Sequence, residues 1–203
     1  MEEGLAYVWR RALPLLRSRL SSAFRHGKEA MAENAAGVPA PAPAPAAAPA
    51  LHPKLQSVAF MLGTWRGEGE GGFPTIKSFK YGEEIKLWHV GKPVIAYTQK
   101  TWKAASGEPM HAESGYFRPT SDGSIEAVIA QSTGLAEVQK GTYDSAKQSL
   151  ELRSSLVGNA SKVVEIKRMF HVEGDELAYT VEMGTQTHEL QPHLRAVLKK
   201  VSS

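Results

Sequence analysis

From Leu55 to the C-terminus, short runs rich in Val, Ile, Tyr and Thr alternate with turn signals, and no long helical period interrupts them. Residues 92–102 (KPVIAYTQKTW), 124–131 (SIEAVIAQ), 135–144, 149–158, 162–172 and 176–185 read as strands, and 193–201 (HLRAVLKKV) ends the domain on another. YFR (116–118) leads into Asp122-Gly123, and Gly174-Asp175 separates two later runs; both pairs suit tight hairpin turns. Within 124–131, Ile125, Ala127 and Ile129 alternate with Glu126 and Val128, the two-residue period of a strand with one buried face. Roughly 150 residues at about ten to fifteen per strand and turn predict about ten strands. A short turn near Leu55–Leu62 is the exception.

Consecutive strands with short connections favour an up-and-down antiparallel order. Ending on a strand lets the last pair with the first, which removes both open edges. The expected fold is therefore all-β, a closed ten-stranded antiparallel barrel. A barrel of eight strands begins to leave room inside, so ten leave a pocket, suited to something apolar.

The N-terminal quarter is different. Residues 35–50 read AAGVPAPAPAPAAAPA and hold five of the twelve prolines. Each Pro lacks an N–H and fixes its own φ, so the stretch resists helix and sheet and reads as an extended linker. It divides the chain into an arm, 1–34, and a domain, 51–203. Arm and linker together carry six of the 24 basic and four of the 21 acidic residues. The domain is thus nearly neutral, with no nucleic-acid footprint. In the arm, Leu5, Val8, Trp9, Ala12, Leu13, Leu16 and Leu20 recur at helical spacing among Arg10, Arg11, Arg17 and Arg19. Such a basic amphipathic pattern suits a membrane surface, an organelle signal or a partner helix, but Glu2, Glu3 and Pro14 weaken it, and a poorly ordered tail with some nascent helix is the plainer reading. No apolar run reaches the roughly 18 residues of a membrane span. The chain has no cysteine, which excludes disulfides, Cys-ligated zinc, iron–sulfur clusters and covalently attached haem.

Three groups of residues carry the chemistry. Gly63-Thr64-Trp65-Arg66-Gly67-Glu68-Gly69 opens the first strand, where a Trp plugs one barrel end and glycines let backbone come close. His193 follows Pro192 at a strand start; alternation groups it with Arg195 and Val197, opposite Leu194, Ala196 and Leu198. A neutral imidazole fixed there makes a good metal ligand when its other nitrogen is hydrogen-bonded. Met110 and His111 are adjacent, so only one should line a cavity unless a bulge intervenes. Gln131 and Met183 extend that lining. Each of these residues alone also fits an ordinary structural role.

Taken together, LGTWRGEGEGGFPTIKSFKYGEEI (62–85), GKPVIAYTQKTW (91–102), PMHAESGYFRP (109–119), AQSTGLAEVQKGTY (130–143), LVGNASKV (156–163) and LQPHLRAVL (190–198) resemble the nitrobindin family, its plant members most. The resemblance covers almost all of 51–203. It implies a ten-stranded barrel similar to fatty-acid-binding proteins and lipocalins, carrying haem b with mainly ferric iron. It makes His193 the axial ligand, sets Thr75 and Lys162 near the haem, and makes Met110, His111, Gln131 and Met183 pocket-lining. It implies binding of nitric oxide and isomerisation of peroxynitrite to nitrate, sparing tyrosine from nitration, with no catalytic group beyond the haem iron. A weak homodimer and a cytoplasmic location, or organelle targeting by the arm, complete the expectation. A non-catalytic carrier of nitric oxide or haem shares the same residues. A lipocalin-like carrier of a small apolar ligand, with His193 incidental, is the other alternative, and an interaction module recruited through its arm is a third.

Overall fold

A computed structural model describes residues 49–120 and 122–201; the arm and nearly all of the linker lie outside the described residues. The chain enters through a 3-10 helix, Pro53–Met61. Pro53 suits the first helical position, and the His52 ring accepts from the Lys54 N–H at 3.2 Å. At three residues per turn, Leu55, Val58 and Met61 share one face, and all three are buried.

Ten strands follow: β1 (Gly63–Phe73), β2 (Ile76–Trp88), β3 (Ile95–Lys103), β4 (Pro109–Pro119), β5 (Ser124–Gln131), β6 (Ala136–Asp144), β7 (Ser149–Gly158), β8 (Val163–Glu173), β9 (Glu176–Thr185) and β10 (His188–Val201). Each pairs antiparallel with its sequence neighbour, and β1 pairs with β10 from Thr64↔Val201 to Gly71↔Leu194. The barrel is closed, as the strand count and the final strand predicted. β10 begins five residues earlier than the sequence pattern placed it.

The period-two pattern fills the interior. Ile125, Ala127 and Ile129 are buried while Val128 is 55% exposed. In β1, Trp65 and Phe73 are buried with Gly67, Gly69 and Gly71 between them at the same parity. These glycines give the larger neighbours room. A Cβ at Gly71 would lie 2.5 Å from the Phe79 ring and 2.6 Å from Leu194.

The two ends of the barrel differ. The 3-10 helix packs Leu55, Val58 and Met61 into the core beside Trp65, and the Trp65 indole N–H donates to the Met61 carbonyl at 3.0 Å. This is the plug expected of the G-x-W run. The opposite end, where the β1–β2, β3–β4, β5–β6, β7–β8 and β9–β10 turns lie, holds a cavity. Among the described residues no helix is long and apolar enough to cross a membrane.

Candidate functional site

The cavity at the open end measures about 240 Å³. Its walls are apolar, from Leu135, Val163, Ile166, Val181 and Leu194, with Phe79 and Tyr81 from β2. His193 lies between it and a wider groove of about 660 Å³ outside, and both are lined by Phe79, Val181, His193 and Leu194.

Simple alternation would turn His193 outward with Arg195 and Val197. A bulge corrects that expectation. The β9–β10 register passes from Pro192↔Glu182 to Leu194↔Val181, so His193 is the extra residue opposite no partner. Bulges re-aim side chains, and here His193 and Leu194 both line the cavity. The His193 Nδ1 lies 3.0 Å from the Gly72 carbonyl, and the Phe73 ring meets it edge-on at 6.0 Å. A carbonyl only accepts, so Nδ1 carries the proton and Nε2 keeps a bare lone pair. Burial lowers the His193 pKa, which the Gly72 bond only partly opposes, and the ring is neutral at pH 7.

A second bulge settles the Met110–His111 question. The β3–β4 register moves from Lys100↔Ala112 to Trp102↔Pro109, with one residue between on β3 and two on β4. Both Met110 and His111 therefore line the cavity, Met110 nearer the surface at 42% exposed. The His111 N–H donates to Thr101 Oγ1 at 3.0 Å, which fixes the bulge. Gln131 and Met183 line the same cavity. Thr75 and Lys162 do not. Both are exposed residues of mouth turns, and the Lys162 carbonyl accepts from the Gln186 N–H at 3.0 Å.

The floor is polar, which an apolar pocket did not anticipate. Arg168 is buried and donates to Glu113 through both terminal nitrogens, at 2.6 and 3.0 Å. It also reaches Glu137, through Nη2 at 2.7 Å and Nε at 3.2 Å. Glu113 accepts from Tyr97 at 2.6 Å and lies 3.4 Å from His111 Nε2. Burial alone would raise the Glu113 pKa, but the Arg168 charge and the bonds from His111, Arg168 and Tyr97 hold it at about 2. Glu137 accepts from Gln131 at 2.5 Å and from Gln139. Deeper in, Glu83 accepts from Gln99 and, at 2.9 Å, from Tyr179, which meets Tyr81 at 2.8 Å. Burial pushes Glu83 up to about 7, and its second oxygen has no partner among the described residues.

Sequence reasoning missed this floor, although the signal was present. Arg168 sits at period two between the buried Ile166 and Phe170, and Glu113 shares that parity with Phe117. A charge at an inward position of a barrel strand requires an inward partner.

Comparison with known proteins completes the site's setting. Residues 54–200 match the model of the THAP4-like, heme-binding beta-barrel domain family. A protein of Arabidopsis thaliana named as a peroxynitrite isomerase is 65% identical over 150 residues, covering 74% of this chain and 90% of that one. Peroxynitrite isomerase 1 of Mycolicibacterium paratuberculosis is 45% identical over 154 residues, covering 73% and 96%. The crystal structure of Rv2717c from M. tuberculosis superposes with a TM-score of 0.69 at 38% identity, over 75% of this chain and all of that one.

Proposed function

This chain belongs to the THAP4-like haem-binding β-barrel family, and from that premise we propose that it holds haem at the open end of its barrel and isomerises peroxynitrite to nitrate. The observation that carries the reading is the His193–Gly72 contact. It leaves a neutral imidazole with a free Nε2 at the cavity wall, the donor that would hold a haem iron.

The residues present fit haem. Leu135, Val163, Val181, Met183 and Leu194 would pack against the macrocycle. Thr75 and Lys162, exposed in the mouth turns, would meet propionates that reach water. The Lys162 contact would be worth under about 1 kcal/mol. Without cysteine the group would be held non-covalently, as haem b, with no thiolate on its iron. Bound haem would supply an iron able to bind nitric oxide and to serve as Lewis acid or one-electron partner toward peroxynitrite, and we take its resting state as ferric.

The protein's own part is to hold and exclude. Gly72 fixes the His193 tautomer and ring plane through Nδ1. Glu113, anchored by Arg168 and Tyr97, accepts from His111 and turns that ring's Nε2 toward the floor. The apolar walls would keep water from a substrate held in the cavity.

His193→Ala should abolish the axial-histidine Soret signature and sharply weaken haem retention. An unchanged spectrum and affinity would remove His193 from the site. Activity is read as nitrate yield against added peroxynitrite, with free tyrosine reporting nitration. A haem-loaded protein that gives no extra nitrate would be a carrier of nitric oxide or haem instead.

A further inference from the structure

We propose that the buried Glu113–Arg168–Glu137 cluster fixes an excess negative charge beside the haem site and so holds its iron in the ferric state. The proposal rests on the haem reading above and goes beyond it to the charge that selects the oxidation state.

One guanidinium faces two carboxylates, and all three side chains are at most 5% exposed. One cation against two anions leaves one negative charge uncompensated. Both carboxylates are fully used as acceptors. Glu113 takes both terminal Arg168 nitrogens and the Tyr97 hydroxyl, and Glu137 takes Arg168 twice, Gln131 and Gln139.

Neutralising Arg168 requires one carboxylate. The second adds desolvation without adding a countercharge, so the cluster is not explained as a stabilising ion pair. Its position suggests another use. Glu113 and Arg168 line the cavity that His193 also lines, and Glu137 is bonded to Gln131, which lines it too. Buried charge is poorly screened by solvent ions and acts across such a site. Ferric iron carries one more positive charge than ferrous iron, so fixed negative charge favours the ferric form, the lever by which second-shell groups tune haem potentials. The process is the transfer of one electron to ferric iron, which gives ferrous iron.

The test is a reductive titration of the haem-loaded full chain with dithionite, followed by the Soret band. The titration is run at pH 9, above the ordinary imidazole range. Glu137→Gln should move the ferric/ferrous equilibrium at least tenfold toward ferrous, a rise of about 59 mV for one electron. If Glu137→Gln does not fold, Glu113→Gln removes the same charge from the other side of the guanidinium and is read identically. A shift under about threefold in a folded variant that keeps its His193-dependent Soret band overturns the charge inference alone. A wild type that takes up no haem overturns the haem reading and this inference with it.

Discussion

At the scale of single residues, Glu83 and Glu113 share one barrel interior and shift in opposite directions. Both are buried, but Glu113 meets the full Arg168 guanidinium while Glu83 meets only the neutral Gln99 and Tyr179. Relative to an ordinary value of 4.5, Glu113 is held at about 2 and Glu83 is raised to about 7. The lowered group binds fewer protons when folded, so its contribution is present above 4.5 and lost as pH falls toward 2. The raised group binds more protons when folded, so its contribution is present below 4.5 and lost as pH rises to about 7. Each is of order 3 kcal/mol, from about 1.4 kcal/mol per unit. Urea unfolding of the apoprotein should show stability falling as pH rises through the Glu83 window, and Glu83→Gln should flatten that fall. Arg168→Met leaves two buried carboxylates without a cation and should cost about 3–5 kcal/mol. If its denaturation midpoint matched wild type, the floor would not be a coupled charge cluster. Gly71→Ala forces a Cβ onto Phe79 and Leu194, and the same unfolding assay should read a loss of about 1–3 kcal/mol.

At the scale of elements, strand alternation was easy to read and its interruptions were not. SIEAVIAQ and ELAYTVEMGT match β5 and β9 because period two, turn glycines and β-branched residues all agree there. His193 is singled out by the family resemblance, not by its own strand pattern, and its grouping on one face with Arg195 and Val197 fails, since a bulge depends on partner register and leaves little trace in one strand's own sequence. The same applies to Met110 and His111, where alternation allowed only one of the pair to face inward. The polar floor was missed for another reason. Its members come from β2, β3, β4, β6, β8 and β9, and only closure of the barrel brings them together. The 3-10 helix was foreseen as no more than a short turn, although its threefold spacing of Leu55, Val58 and Met61 is what closes one end. Leu55→Ala should leave a void beneath Trp65 and lower stability by about 2–5 kcal/mol in thermal unfolding.

At the scale of the whole molecule, haem would bind only the folded barrel, so folding and loading are linked. Free haem at about a thousandfold its dissociation constant should stabilise the protein by roughly 4 kcal/mol. The rise in melting temperature on loading should largely disappear in His193→Ala, which differential scanning calorimetry would read directly. The chain's alternating turns also sort themselves by end. The odd hairpins, β1–β2 through β9–β10, ring the mouth, while the even turns sit with the plug. Among the described residues, this ten-stranded meander is plugged at one end and holds its cavity at the other. On the proposed function, entry of haem and substrate would depend on one set of hairpin tips, and resistance to unfolding on the other. Changes in the length of the first set should alter exchange rates and leave melting behaviour nearly untouched. Changes in the second should do the reverse.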